Sequence, residues 1–266
     1  MVIQSSKTGF ELNNKVALIS GGAQGMGEEI YYEFSKLGAK ISMADIQPDK
    51  GNIVINKIKK SGGEAIFFET DATIYDSVEK CVKKTLEVFG TIDILVNVVG
   101  LNIFTSVEEW TLDSFDRIIR INLYSPWHFC KAVIPEMMRK KKGKIVNFAS
   151  GAGIQGVPKE LAYVAAKHGV VGLTRALAVD LGGYYINVNA ICPASTVTPM
   201  LLSDTGGGEI WMKKAILEFP IPRLGRVSDQ AKAAAFLSYD ASDWITGAIL
   251  PVDGGLTSCV RAHHNE

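Results

Sequence analysis

A tyrosine and a lysine four residues apart are the residues of this chain best suited to acid–base chemistry. Tyr163 and Lys167 lie in a helical pattern, so they should share one helix face, one turn apart. A lone phenol, with a pKa near ~10, exchanges protons poorly at neutral pH. A nearby ammonium would stabilise the phenolate and lower that pKa. Ser150, thirteen residues before Tyr163, ends an apolar run, where its hydroxyl could hydrogen-bond a carbonyl oxygen. Together they would suit proton transfer at an alcohol oxygen.

The same spacing occurs a second time, so the spacing alone does not identify a site. Tyr32 and Lys36 also lie four residues apart in a helical pattern, but Ile19 rather than a serine stands thirteen residues before Tyr32. A tyrosine edge and a lysine stem on a helix surface explain that pair without chemistry. For Tyr163 and Lys167 this structural explanation stays open on the spacing alone, and the rest of the chain favours the catalytic one.

Composition argues against several classes of protein. The chain has 266 residues, of which 47% are apolar, so it can bury a sizeable core. Its formal net charge is +0 and its basic residues are scattered, so we expect no nucleic-acid partner. The N-terminus is polar and no apolar run approaches the ~20 residues of a membrane span, so we expect neither a signal segment nor a membrane partner.

Cysteines and histidines give no metal or disulfide pattern. The four cysteines are Cys81, Cys130, Cys192 and Cys259, and no two of them form a Cys-x-x-Cys motif. We expect a reducing, cytoplasmic location and no structural disulfide. His263 and His264 are adjacent in a polar tail, and no spacing predicts a metal site.

Strand and helix patterns alternate along the whole chain. The strand-like runs cover residues 15–20, 40–44, 64–70, 92–96, 145–148, 185–191 and 248–252. Helical patterns fill most intervals, the longest over about 112–139, and residues 196–222 form an irregular lid with a glycine run at 206–208. Alternation without a linker predicts a single domain over residues 1–266. The fold class is α/β, a Rossmann-like, doubly wound, mostly parallel sheet of seven strands with helices on both faces.

Glycine and polar residues follow the ends of these strands, where ligands bind to a parallel sheet. Gly21-x-x-x-Gly25-x-Gly27 would allow a tight turn and let backbone amides approach a pyrophosphate at a helix N-terminus. No Lys-Ser/Thr pair follows, so we expect no triphosphate P-loop. Asp45, eighteen residues after Gly27, would accept both adenosine ribose hydroxyls and repel a 2′-phosphate. No Arg or Lys in the glycine loop or directly after Asp45 could hold that phosphate, which favours NAD over NADP.

From Lys15 to Gly255 the chain resembles the short-chain dehydrogenase/reductase family. The motifs that carry the resemblance are Gly21-x-x-x-Gly25-x-Gly27, Asp71, Asn97-x-x-Gly100, Asn122, Ser150, Tyr163-x-x-x-Lys167, Pro193 and Thr198. The resemblance implies that Tyr163 is the general acid/base and that Ser150 orients the substrate oxygen. It also implies that Lys167 binds the nicotinamide ribose and lowers the pKa of the tyrosine. Asn122 would hold a water in the proton relay.

The resemblance further implies a cofactor site and an oligomer. Asp71 would bind the adenine amino group and Thr198 the nicotinamide carboxamide. The positions expected to contact the cofactor are Gly21, Gln24, Gly25, Met26, Gly27, Asp45, Ile46, Asp71, Ala72, Asn97, Gly100, Tyr163, Lys167, Pro193, Thr196 and Thr198. The C-terminal helix and strand resemble the family's subunit contact, which implies a homotetramer or a dimer.

The chain departs from the family pattern at two places. It has Asn97-Val98-Val99-Gly100 where the family usually has Asn-Asn-Ala-Gly, and Pro193-Ala194 where the family usually has Pro-Gly. If position 194 needs a positive φ, alanine costs about 1 kcal/mol there. Separately, Pro126 lies four residues after Asn122 and lacks an N–H, so the helix should kink there. The freed carbonyl could hold the relay water, or the kink could be an ordinary one.

The expected substrate is a small alcohol or ketone, apolar or cyclic. The candidate wall residues are Ile103, Phe104, Ile154, Val157, Met200, Leu201, Leu202, Trp211 and Met212. They include no Arg or Lys that would clamp a carboxylate, although they could equally be lid-packing residues. The leading hypothesis is therefore an NAD-dependent secondary-alcohol dehydrogenase or ketone reductase. The alternatives are a reductase of 3-oxoacyl carrier thioesters and a catalytically idle NAD-binding module.

Overall fold

Seven parallel strands form one sheet, as the alternating patterns predict. The computed structural model describes residues 9–204 and 208–259 of the chain. Its strands are β1 (Val16–Ser20), β2 (Lys40–Asp45), β3 (Ala65–Glu69), β4 (Ile94–Asn97), β5 (Gly143–Phe148), β6 (Ile186–Pro193) and β7 (Ile249–Val252). They lie in the order β3-β2-β1-β4-β5-β6-β7, and every neighbouring pair is parallel. The predicted doubly wound, Rossmann-like sheet is confirmed.

Helices cover both faces of this sheet. They are α1 (Gly25–Lys36), α2 (Pro48–Lys60), α3 (Tyr75–Phe89), α4 (Leu112–Ile119), α5 (Ser125–Lys140), α6 (Leu161–Leu181), α7 (Pro199–Asp204), α8 (Glu209–Ile216) and α9 (Val227–Ser238). One core lies beneath α1, α2 and α9, and a second lies beneath α3, α5 and α6. In β1, Ala17 and Ile19 enter the first core and Leu18 enters the second, because successive side chains of a strand point to opposite faces.

The lid region differs from the sequence prediction. Residues 196–222, predicted to be irregular, contain the two short helices α7 and α8. Gly206 and Gly207 of the predicted glycine run lie outside the described residues, as do His263 and His264. The prediction failed because the apolar residues around position 200 and position 212 were assigned to the pocket wall, whereas their spacing also suits short amphipathic helices.

The long helical stretch predicted over 112–139 is interrupted, as Pro126 predicts. α4 ends at Ile119, a π-helical turn covers Arg120–Tyr124, and α5 begins at Ser125. Within the turn, the Ser125 N–H donates to the Arg120 carbonyl five residues earlier. Proline at position 126 has no N–H to give the Asn122 carbonyl, so an ordinary α-helical bond is impossible there. A wider turn absorbs this defect without ending the helical path.

Candidate active site

The strand order reverses between β1 and β4, and a cleft opens at the carboxyl ends of these strands. β2 and β3 lie to one side of β1, whereas β5, β6 and β7 lie beyond β4. Gly21 follows β1 and packs against Val99, which follows β4: a methyl group added to Gly21 would lie 2.7 Å from Val99 Cγ2. Crevices of this kind are where doubly wound sheets bind ligands.

The glycine loop can form only because two of its residues lack side chains. Gly22 has a φ of 99°, in the region that side chains disfavour. A Cβ on Gly22 would lie 2.3 Å from Gly27 Cα, and one on Gly27 would lie 2.4 Å from Gly22 Cα. The loop therefore folds back against the first turn of α1. Gln24, the residue before this helix, makes no side-chain cap, so the first amides of α1 are available to an anion.

The cleft has a volume of about 710 Å³, within the range of small-molecule and cofactor sites. Of the positions expected to contact a cofactor, those on its lining are Gly21, Gln24, Gly25, Met26, Gly27, Asp45, Ile46, Asp71, Ala72, Gly100 and Thr198. The tight glycine loop, the uncapped helix amides and the cleft dimensions fit a dinucleotide whose pyrophosphate lies over the start of α1.

Asp45 is buried at the end of β2 and is held by the backbone on both sides. Its Oδ2 accepts from Ala23 N–H at 2.9 Å and its Oδ1 accepts from Gln47 N–H at 2.9 Å. These two hydrogen bonds fix the carboxylate at the wall of the cleft, next to the glycine loop. Each carboxylate oxygen retains acceptor capacity for a further donor.

A lysine that the sequence argument overlooked reaches the glycine loop. Lys50 Nζ on α2 donates to Gln24 Oε1 at 2.7 Å, and Gln24 lines the cleft. The loop itself and the residue directly after Asp45 carry no Lys or Arg, but one further turn of helix brings Lys50 back over the loop. A positive charge therefore lies nearer to the expected adenosine ribose than the sequence argument allowed.

Helix α6 places Tyr163 and Lys167 on one side, as their spacing predicts. Lys167 Nζ lies 5.4 Å from the centroid of the Tyr163 ring and donates to the Phe148 carbonyl at 2.9 Å. Only 3% of Lys167 is exposed, and burial lowers its pKa to about 8. This places an ammonium that titrates near neutral pH beside a phenol.

Ser150 lies just after the end of β5, before a turn that packs on α6. It opens a short 3₁₀ turn over Gly151–Gly153, and its Oγ accepts from Ala152 N–H at 3.1 Å. The turn packs closely on α6, since a Cβ added to Gly153 would lie 2.8 Å from the Lys167 carbonyl oxygen. The lack of a side chain at Gly153 thus allows the turn after Ser150 to pack closely on α6, the helix that carries Tyr163.

Asn122 lies in the π-helical turn and is completely buried. Its Nδ2 donates to the Leu101 carbonyl at 2.7 Å and to the Ile118 carbonyl at 3.0 Å, while its Oδ1 accepts from Leu101 N–H at 3.2 Å. The side chain is thus occupied in fixing the segment after β4. A Cβ on Gly100 of that segment would lie 3.2 Å from Asn122 Oδ1 and 3.6 Å from Lys167 Nζ.

Five predicted cofactor contacts are not on the cleft lining, namely Asn97, Tyr163, Lys167, Pro193 and Thr196. Tyr163 and Lys167 lie on α6, as described above. Asn97 is buried in a polar network, where its Nδ2 donates to Asn147 Oδ1 at 2.9 Å and its Oδ1 accepts from Ser20 Oγ at 3.1 Å. Thr196 lines a separate cavity of about 320 Å³, and its Oγ1 donates to the Ala194 carbonyl at 3.0 Å. Pro193, the last residue of β6, is also absent from the cleft lining.

Ala194 carries no strain, because its φ is not positive. The non-glycine residues of the described chain with positive φ are Asn14, Lys141, Lys159 and Tyr185. The cost considered for alanine after Pro193 therefore does not arise. At the other departure from the family pattern, Val99 lines the cleft beside Gly21.

Helix α4 and the start of the π-helical turn after it line part of the cleft, which was not predicted from the sequence. Asp113, Asp116, Arg117 and Arg120 line the cleft, together with Ile121. Their spacing of three to four residues marks one helix face. That signal is present in the sequence, but a mixed-charge stripe is also typical of a solvated helix surface, and nothing local distinguishes the two.

The described part of the chain contains no group of three or more His, Cys, Asp or Glu residues that could hold a metal ion. None of its helices is both long enough and apolar enough to cross a membrane.

Comparison with known proteins gives one consistent result. A family model described as Enoyl-(Acyl carrier protein) reductase matches residues 21–257. Trans-4-hydroxycyclohexanecarboxylate dehydrogenase of Sinomonas cyclohexanicum is 37% identical over 259 residues, which cover 95% of this chain and 96% of that protein. The 3-oxoacyl-(acyl-carrier-protein) reductase of Chlamydia trachomatis is 34% identical over 248 residues, with 92% and 98% covered.

A solved structure shares the fold over nearly its full length. The crystal structure of a gluconate 5-dehydrogenase from Burkholderia cenocepacia, in complex with NADP and tartrate, has a TM-score of 0.90 and 28% identity. The match covers 94% of this chain and 98% of that one. This chain therefore has the glycine loop, the serine turn and the Tyr-x-x-x-Lys helix in a fold that it shares with oxidoreductases. The chain belongs to the short-chain dehydrogenase/reductase family.

Proposed function

We propose that this protein is an NAD-dependent oxidoreductase that transfers a hydride between the nicotinamide and a secondary alcohol or ketone. The observation that carries the proposal is the buried Lys167 ammonium, 5.4 Å from the centre of the Tyr163 ring, beside a cleft that fits a dinucleotide. A structural role alone does not account for this lysine, because burying an ammonium is costly and hydrophobic residues would pack better.

Tyr163 acts as the general acid and base. In alcohol oxidation its phenolate takes the hydroxyl proton while the hydride leaves the carbon, and in ketone reduction the phenol returns that proton. Lys167 stabilises the phenolate by its charge. The Ser150 hydroxyl, whose oxygen accepts from Ala152 N–H, keeps its own hydrogen for the substrate oxygen. When bound, the nicotinamide supplies the acceptor or donor of the hydride.

The proton path from the tyrosine to solvent would pass Asn122. Its side chain is fully engaged with Leu101 and Ile118, so we assign the relay water to its main-chain carbonyl. Pro126 supports this assignment, because it removes the N–H that would otherwise occupy that carbonyl.

NAD is proposed over NADP because Asp45 lines the cleft next to the glycine loop. A 2′-phosphate there would meet a like charge. Lys50 and the NADP bound to the gluconate 5-dehydrogenase structure favour the other choice, and the ratio of kcat/KM for the two cofactors decides between them. Wild-type kcat/KM should be at least tenfold higher with NADH than with NADPH, on the scale of one unfavourable charge contact. Asp45→Ala with Ile46→Arg should reverse the order, and equal wild-type values would overturn the choice of NAD.

The substrate proposed is an apolar or cyclic secondary alcohol. Met200 lines the cleft and, like Phe104 and Ile154, is substantially exposed, which supports an apolar approach to Tyr163. The Sinomonas relative, whose name gives a ring-bound hydroxyl, supports the cyclic class. A panel of cyclic and open-chain alcohols, assayed with NAD and with NADP, tests this proposal. Turnover of open-chain alcohols alone would contradict it.

A second candidate is the reduction of a 3-oxoacyl carrier thioester. It is favoured by the 34% identity with the Chlamydia trachomatis reductase over almost its full length. Asp45 argues against it in so far as that reaction goes with NADPH. Acetoacetyl thioesters in the same panel separate the two candidates, since only the second predicts that a thioester is the best substrate.

We further propose a cytoplasmic homotetramer, as the family resemblance implies. β7 is an edge strand, and the exposed apolar side chains in the elements before it in the chain include Trp244 at 100%, Val179 at 82% and Tyr185 at 75%. Exposed apolar side chains beside an open strand edge suit burial against a second copy. Light scattering on the wild type and on Trp244→Glu tests this, with the variant expected to form a smaller species.

A further inference from the structure

Two arginines line the same cleft as the glycine loop, Arg117 on α4 and Arg120 at the start of the π-helical turn that follows α4. The lining of this 710 Å³ cavity contains Arg117 and Arg120 together with the glycine loop and the first residues of α1. Both side chains are exposed, so solvent or a ligand in the cleft can reach them.

Neither arginine has a partner within the described part of the chain. No ion pair, hydrogen bond or ring contact joins the Arg117 or Arg120 side chain to another residue there. Each has an aspartate four residues earlier, Asp113 and Asp116, at the spacing that normally favours an ion pair on a helix. These pairs do not form within 4.0 Å in the structure. Two positive groups are therefore left available at the cleft wall.

The glycine loop supplies no positive charge of its own, and the ammonium that reaches it, Lys50 Nζ, is held by Gln24 Oε1. A dinucleotide pyrophosphate carries two negative charges, and the glycine loop from Gly21 to Gly27 contains no Lys or Arg. The amides at the start of α1 offer only the partial charge of a helix N-terminus. A planar guanidinium matches phosphate oxygens in a bidentate way and remains charged at any ordinary pH.

The aspartates of the same stripe weaken this attraction without cancelling it. Asp113 lies in the first turn of α4, where the helix dipole favours a negative charge. Aspartate side chains are short and stay near the helix, whereas an arginine places its charge several bonds further out. The arginines can therefore approach a ligand in the cavity more closely than the aspartates can.

We propose that Arg117 and Arg120 bind the phosphates of the dinucleotide from the α4 side, while the amides of α1 bind them from the other. The proposal rests on the proposed dinucleotide-dependent function. It assigns to α4 a role in cofactor affinity, and Tyr163, Lys167 and Ser150 keep the chemistry.

Calorimetric titration of the cofactor-free protein tests the proposal without any turnover. The ligands are NADH, ADP, which carries the phosphates without the nicotinamide half, and adenosine, which carries none. Replacing either arginine with glutamine, Arg117→Gln or Arg120→Gln, should weaken ADP and NADH binding by about tenfold, the scale of a charged hydrogen bond. The double variant should lose more, and adenosine binding should not change. Added salt should weaken ADP binding to the wild type more than to the double variant.

Matched variants separate phosphate recognition from general effects. Arg139→Gln removes the same charge from an exposed arginine paired with Glu136 near the end of α5, away from the cleft lining, and should leave every affinity unchanged. Arg117→Lys with Arg120→Lys keeps the charge but loses the planar guanidinium that can bind phosphate in a bidentate way. This variant should therefore bind ADP more tightly than the double glutamine variant does. The lysine variant also provides the answer should the glutamine variant not fold.

Three results would overturn the proposal. They are unchanged ADP affinity in the double variant, an equal loss for ADP and adenosine, and an equal loss in the lysine and glutamine variants. A wild-type protein that binds neither NADH nor ADP would instead contradict the proposed function itself, so the two failures can be told apart.

Discussion

Helices α1 and α6 both carry a tyrosine and a lysine four residues apart, and their surroundings are opposite. On α1, Tyr32 Oη donates to Glu28 Oε1 at 2.9 Å, the Lys57 ammonium lies 5.8 Å from the Tyr32 ring, and Lys36 is exposed. On α6, Lys167 is buried and is held by the Phe148 carbonyl at the end of β5.

The difference lies in where each helix begins and what packs on it. The first turn of α1 forms one wall of the cleft, and Tyr32 lies two turns further on, among surface charges. Burial and the hydrogen bond that Tyr32 donates to Glu28 raise the pKa of Tyr32, so less phenolate forms there near neutral pH than on an ordinary phenol. A spacing therefore fixes which face two side chains share, and the neighbours of that face decide whether they can exchange protons.

The strongest test of this difference between α1 and α6 is to remove each phenol in turn. Tyr163→Phe should lower kcat by at least ~100-fold, the usual scale for general acid–base catalysis. Tyr32→Phe should leave kcat within about twofold, because surface substitutions away from special contacts have small effects. Steady-state kinetics on both variants measures this, with NADH titration as a control for cofactor binding. Equal losses would show that the surroundings do not separate the two helices.

Replacing the two lysines should have different effects on turnover and on stability. Replacing Lys167 should lower turnover but raise the free energy of unfolding. Lys167→Met should lower both cofactor affinity and kcat, whereas Lys36→Met should change neither. The pKa of buried Lys167 is about 8 against the ordinary 10.5, so removing its charge should stabilise the fold by up to about 3 kcal/mol at pH 7, less the lost hydrogen bond to Phe148. Denaturant unfolding measures this, and a strong destabilisation would favour a purely structural lysine.

The pH dependence of that stability difference has a definite sign. Below pH about 8 Lys167 is charged in both the folded and unfolded states, so the burial penalty is fully present. Between pH about 8 and 10.5 the unfolded chain binds the proton and the folded one does not, so wild-type stability rises with pH. The advantage of Lys167→Met should therefore shrink across this window. A pH-independent difference between the two proteins would contradict the lowered pKa.

Cofactor affinity should depend on the same titration, but it should fall as pH rises. As pH rises through about 8, the folded protein loses the ammonium that we assign to the nicotinamide ribose and the phenolate. NADH binding to the wild type should weaken across this range, while binding to Lys167→Met should stay flat. Fluorescence titration of NADH at several pH values measures both curves.

The smallest effects are expected from two glycine-to-alanine substitutions, at Gly100 and at Gly172. Gly100→Ala places a methyl 3.2 Å from Asn122 Oδ1, closer than an ordinary contact, so it should lower kcat several-fold by displacing Asn122. Gly172→Ala, on an exposed position of α6 with nothing within 4 Å, should leave kcat unchanged and stabilise the helix by about 0.5–1 kcal/mol. Kinetics and thermal unfolding of the two variants test the contrast.

The sheet was predictable because its signals are local and repeat along the chain. Apolar runs followed by Gly21, Asp45 or Ser150 mark strand ends, and parallel strands bring those ends to one edge. Tyr185 shows the limit of such signals: it was assigned to a strand, but its φ of 56° places it in the turn before β6.

The site was predictable only in part, because contacts between distant segments leave no local trace. Asn97 follows a strand end like Asp45, yet its amide turns into the core toward Asn147. Lys50 and Arg117 reach the cleft from helices whose charged faces look like ordinary solvated surfaces. Their roles depend on how the helices are rotated over the sheet, and that rotation is set by packing rather than by the residues themselves.

The π-helical turn at Arg120–Tyr124 makes the length of the chain between α4 and α5 as important as its composition. Such a turn holds one residue more than an α-helical turn, so it is equivalent to a single-residue insertion in a regular helix. Deleting one residue there would turn α4 by about 100° relative to α5. Asn122 would leave Leu101, and the charged stripe of α4 would face away from the cleft. Sequence alignments that place a gap at this turn therefore compare sites whose walls are rotated, even where every catalytic residue matches.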